Sequence, residues 1–127
     1  MGTGCGLTLD TGALIALERR ERRMIAVLAA ADREDLVVTV PSPVLIEWFH
    51  GKPSRINPVL NAVIIEPLGE RLARTAGEAL VGTSSISVVD AVVMASAAQR
   101  GDHVYTSDIP DLQRLQRAFP EVRLFGT

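Results

Sequence analysis

The feature that most limits what this chain can fold into is a repeated switch of hydrophobic period. Short apolar runs occur at GLTLD (6–10), LVVTV (36–40), around VIIE (within 62–68), HVYT (103–106) and 121–125. The stretches between them place apolar residues at helical spacing instead. Leu14, Leu17, Met24, Ile25 and Leu28 predict helices over about 12–18 and 21–31, broken near Arg19. Ser42-Pro43 reads as a capping hydroxyl followed by proline at the first helical position. That helix carries Leu45 to Phe49 and stops at Gly51 and Pro53. Residues 55–60 form a short irregular or helical piece, and further helices are expected over 69–81, 88–100 and 109–118, with GTSSIS (82–87) a loop. Strands alternating with helices imply an α/β sandwich around a mainly parallel sheet of about five strands.

At 127 residues the chain reads as one domain, 1–127, long enough to bury a real core. An apolar fraction of 47% and a charged fraction of 22% are those of a globular protein. No apolar run approaches the ~18 residues that span a bilayer, and MGTGCG has no basic segment before an apolar one. Cys5 is the one cysteine, which excludes an internal disulfide and fits a reducing compartment, so the cytoplasm is expected. The net charge of −2 argues for no partner class. All cations but Lys52 are arginine, whose planar fork suits phosphate. Arg19 to Arg23 and Lys52 to Arg55 are places where a phosphate backbone could be tracked, although a run such as ERRERR is more often a solvated helix face.

Four acids stand at element junctions. Asp10 ends the first strand, Asp108 closely follows the fourth, Glu47 lies one turn into the helix after the second, and Asp90 opens the 88–100 helix. In an open parallel sheet the carboxyl ends of the strands form the usual binding crevice. Asp10, Asp108 and the start of the Glu47 helix belong to that edge, and Asp90 joins them only if its helix begins there. Asp is also a preferred N-cap, so capping alone explains any one of Asp10, Asp90 and Asp108 about as well. Glu47, inside LIEWF, is poorly placed for solvent and has no Arg or Lys one turn before it. Trp48 and Phe49 beside it read as core or dimer contacts rather than base-stacking platforms. Ala91, Ala95 and Ala98 give the 88–100 helix a stripe with little bulk, which suits a central position. Carboxylates gathered at one sheet edge repel and call for a cation. Oxygen-only ligands suit Mg²⁺, with Mn²⁺ a substitute, and two His with one Cys make zinc improbable. Metal-assisted hydrolysis of a phosphodiester is the chemistry such a cluster serves.

LTLDTGALIAL, PSPVLIEWFHG, SVVDAVVMASAAQRG and HVYTSDIPDLQRL resemble, in order and over nearly the whole chain, the four motif blocks of PIN-domain ribonucleases, in particular VapC toxins of bacterial toxin–antitoxin pairs. The resemblance implies a three-layer α/β/α sandwich and a Mg²⁺-dependent endoribonuclease with Asp10, Glu47, Asp90 and Asp108 as its acidic, metal-binding site. Thr11 and Thr106 match positions that support the ligands, and Asp111 matches a less constant acid whose role stays open. A homodimer and inhibition by a VapB antitoxin are likewise implied.

Asp10-Thr11-Gly12 is also the tripeptide of retroviral-type aspartic proteases. That fold is all-β, whereas the twenty residues after Gly12 are helical in pattern. A phosphoacceptor receiver domain needs an acidic pair after its first strand and a late lysine. A haloacid-dehalogenase-type phosphatase needs Asp where Gly12 stands. A noncatalytic binding module of the same fold, and a housekeeping PIN nuclease outside any toxin–antitoxin pair, remain as alternatives.

Overall fold

A computed structural model describes residues 5–50 and 58–127. The expected helix stops at Gly51 and Pro53, the Lys52 to Arg55 cations and the start of the 55–60 piece lie outside the described residues. Within those residues five strands, β1 (Leu7–Leu9), β2 (Val38–Pro41), β3 (Ile64–Glu66), β4 (His103–Thr106) and β5 (Leu124–Gly126), form one sheet in the order β3-β2-β1-β4-β5. Every pairing is parallel, with Leu7 opposite both Val38 and His103. The strand order reverses between β1 and β4, so the crevice beyond their carboxyl ends is the topological switch point, where open α/β sheets take their ligands.

The same described residues contain six α-helices and one 3₁₀ turn: α1 (Thr11–Glu18), α2 (Arg22–Arg33), α3 (Ser42–Phe49), the turn Pro58–Ala62, α4 (Glu70–Ala79), α5 (Val88–Arg100) and α6 (Ile109–Leu115). The break between α1 and α2 is where expected, with Arg20 in the left-handed region at φ 57°. Residues alternate across β1. Leu7, His103 and Tyr105 face α2, lining a groove with Ala26, Val27 and Ala30. Thr8 faces α5 and hydrogen-bonds Arg100. The sheet is thus covered by helices on both faces, as three layers.

The small-residue stripe of α5 does what its composition implies. Residues Ala91 to Ala97 are all buried, and the helix packs against β1, β2 and β4 with α4 and α6 alongside. Gly101 ends it in the left-handed region at φ 73°, a conformation that glycine adopts without the Cβ penalty. Trp48 is core, 2% exposed, with its ring centroid 5.1 Å from that of Phe49. Arg19, Arg20, Arg22 and Arg23 are exposed, as a solvated helix face requires.

Three local expectations change. Ser42 is the first residue of α3 rather than its cap; Pro41 precedes the helix, and the Ser42 hydroxyl accepts from Leu68 N–H at 3.2 Å. The last strand begins at Leu124 because Phe119 and Val122 turn into the core first, with Val122 N–H donating to Phe119 O at 3.2 Å. For the same reason α6 ends at Leu115 instead of 118.

Candidate active site

Asp10 leaves β1 and caps α1. Its Oδ1 accepts from Ala13 N–H at 2.8 Å, and its Oδ2 accepts from the Thr106 hydroxyl at 2.5 Å. Thr106, at the end of β4 and fully buried, also accepts from Asp108 N–H at 2.8 Å. One hydroxyl therefore ties the acid after β1 to the backbone of the acid after β4, across the switch point. Asp108 caps α6, accepting from Asp111 N–H at 3.5 Å. Capping and placement at the crevice are thus both true of Asp10 and Asp108.

Asp90 is not a cap. Ser87 takes that position and accepts from Asp90 N–H at 2.9 Å, so Asp90 stands in the first turn of α5. The Ser87-x-x-Asp90 spacing is a capping-box pattern, and that signal was available in the sequence. The expectation that Glu47 is shielded from solvent is overturned: Glu47 is exposed, and its neighbour Ile46 is 72% exposed. Pro43, Val44 and Trp48 turn to the core and leave Glu47 on the outer side of α3, over the crevice. Its partner is the Thr11 hydroxyl, which donates to Oε1 at 2.5 Å.

The four acids lie near enough to repel one another. The Asp10 carboxyl is raised above the usual range chiefly by burial, opposed by its bonds from Thr106 and Ala13 and reinforced by repulsion from Asp108 and Glu47. Asp90 is pushed up to about 6, again first by burial; a hydrogen bond with Ser87 opposes this, and repulsion from Asp10, Glu47 and Asp108 adds to it. The Asp111 carboxyl is also raised, by its hydrogen bond with Asp108 and then by that residue's charge. Among the described residues, no three acidic, histidine or cysteine side chains stand close enough to enclose an ion between them. Asp10 and Glu47 point their oxygens at hydroxyl and backbone partners instead. The donor set nevertheless fits a hard divalent cation: the four acids offer oxygen only, and their mutual repulsion is relieved by positive charge.

The PIN domain family matches residues 7–117, which takes in all four acids. The chain belongs to the PIN domain family. That membership supports nuclease chemistry in general terms. Solved structures of similar fold include VapBC2 from Rickettsia felis bound to a promoter DNA fragment, with a TM-score of 0.77, 16% identity and coverage of 95% of this chain and 98% of the other. DNA-bound VapBC from Salmonella typhimurium gives 0.72 at 15% identity, covering 97% and 98%. FitAcB from Neisseria gonorrhoeae gives 0.66 at 19% identity, covering 94% and 96%. No curated protein matches this PIN chain in sequence. Among the described residues, no helix is long and apolar enough to cross a membrane.

Proposed function

We propose that this chain is a Mg²⁺-dependent endoribonuclease and the toxin of a toxin–antitoxin pair, a homodimer acting in the cytoplasm and inhibited by a VapB-like antitoxin. The observation that carries the catalytic reading is the tie of Asp10 to Asp108 through Thr106 at the switch point of a parallel sheet, with Glu47 held beside it by Thr11 and Asp90 near enough to repel all three. The toxin and partner reading draws on the solved structures of similar fold, among them a toxin–antitoxin complex from Klebsiella pneumoniae.

Asp10, Glu47, Asp90 and Asp108 would hold the cation, with Mn²⁺ as a substitute. When bound, the cation supplies activation of water and stabilisation of charge on the scissile phosphate. The chain's own contribution is orientation. Thr106 holds one Asp10 oxygen and the Asp108 backbone together. Thr11 holds Glu47 over the same crevice. Ser87 caps α5 through Asp90 N–H and so fixes the first turn that carries Asp90.

Purified protein is expected to cleave RNA with Mg²⁺ or Mn²⁺ and not with EDTA. Asp10→Asn and Asp90→Asn should each lower cleavage by at least about 100-fold, the scale on which one preorganised electrostatic group acts. Undiminished cleavage by Asp10→Asn in EDTA overturns the mechanism. A noncatalytic module predicts no cleavage under any of these conditions. A housekeeping nuclease predicts cleavage that no co-expressed antitoxin suppresses.

A further inference from the structure

We infer that Gly12 and Ser107 form the spacing contact that sets the separation of Asp10 and Asp108, so that a side chain at position 12 is incompatible with the site. The inference rests on the metal-site reading above and adds to it two positioning residues, neither of which is an acid. Gly12 is the second residue of α1, two after Asp10, and Ser107 immediately precedes Asp108. A Cβ at position 12 would overlap Ser107 Oγ, and would lie 2.5 Å from Ser107 Cβ and 3.3 Å from Ser107 N. Rotating the serine hydroxyl relieves the overlap with Oγ. The contact with Cβ is fixed, because the Ser107 Cβ is carried directly on the backbone.

Restoring carbon–carbon contact would part the start of α1 from the β4–α6 link by about 1 Å. That is the seam closed by Thr106 Oγ1 to Asp10 Oδ2 at 2.5 Å, Asp108 N–H to Thr106 Oγ1 at 2.8 Å and Asp10 N–H to Tyr105 O at 3.3 Å. Backbone conformation does not explain the glycine. Among the described residues, the glycines with positive φ are Gly82 and Gly101, so alanine fits the backbone at position 12 and has the better helix propensity. Gly77, inside α4, is the matching control: a Cβ there meets nothing within 4 Å.

The test is a set of variants that combine Gly12→Ala with the native serine, Ser107→Ala or Ser107→Gly, with Gly77→Ala alongside. Each is read by its Tm in EDTA, by the rise in Tm on adding Mg²⁺, and by RNA cleavage. Gly12→Ala alone should lose most of the Mg²⁺-induced rise and cleave about 100-fold more slowly, the usual cost of a misplacement near 1 Å. Gly77→Ala should keep both responses and melt slightly higher. In the Ser107→Gly background, adding Gly12→Ala should leave both responses unchanged and raise Tm, reversing the sign of the substitution. If Gly12→Ala alone does not fold, the Ser107→Ala background, in which only the hydroxyl is removed, carries the comparison. Equal loss from Gly12→Ala in every background, or no loss in any, overturns the inference. An absent Mg²⁺ response in the unsubstituted protein overturns the metal-site reading instead; the coupling of positions 12 and 107 in EDTA then still decides whether the contact sets the seam.

Discussion

Asp90 shows how a single residue ties local structure to stability. Burial and three neighbouring carboxylates hold its carboxyl at about 6, above the ordinary 3.8. A carboxyl raised in the folded state favours folding when protonated, so its contribution is full below the unfolded pKa and is lost as pH rises through about 6. In EDTA at neutral pH, Asp90→Asn should therefore raise Tm, by about 2–5 °C since the half-exposed side chain is screened by solvent. Melting curves across acid to neutral pH should show that gain shrinking as pH falls through 6 towards 3.8. With saturating Mg²⁺ the order should reverse, because the unsubstituted protein gains ligand linkage. The placement of the four acids after strands and near helix starts was readable from the sequence. The surroundings of Glu47 were not, because an apolar run such as LIEWF does not say which side of its helix another element will cover.

At the scale of elements, the helix starts are the informative part. Ser87 takes the cap of α5 and holds Asp90 in its first turn. Ser87→Ala should cost about 1 kcal/mol in urea unfolding, the usual value of a lost hydroxyl cap. It should also weaken the Mg²⁺-induced rise in Tm, because the first turn that orients Asp90 frays. Periodicity located every helix and strand within the described residues, since amphipathic spacing is dictated by a core on one side. End points were less legible. The cap at Ser42 was displaced because its hydroxyl is used by Leu68 N–H from the next strand's exit. The start of β5 was displaced because Phe119 and Val122 fill the core before the chain straightens. Both are decided by contacts distant in sequence.

Over the whole molecule, parallel pairing was readable from the alternation of strands and helices, but strand order was not, because nothing local says which side of β1 the fourth strand will take. Arg100 reports on that order. Its guanidinium donates to Thr8 at 2.9 Å, Ser96 at 2.8 Å and Asp102 at 3.0 Å, and pairs with Glu66 at 3.0 Å, so one side chain ties the exit of β3, the middle of β1 and the entry to β4 to α5. Among the described residues, Arg100→Met leaves the buried Asp102 carboxylate with only Thr8 as a hydrogen-bonding side chain. The substitution should cost about 3 kcal/mol in urea unfolding, without reaching the acid crevice. The central place of β1 also orders events in time. During synthesis β1 leaves the ribosome well before its neighbour β4, and the Thr106–Asp10 bond closes a separation of 96 residues. Such long-range closure is slow and late in folding. A nascent chain that ends before residue 103 therefore has Asp10 but no crevice, so any activity of this fold begins only after translation has passed β4.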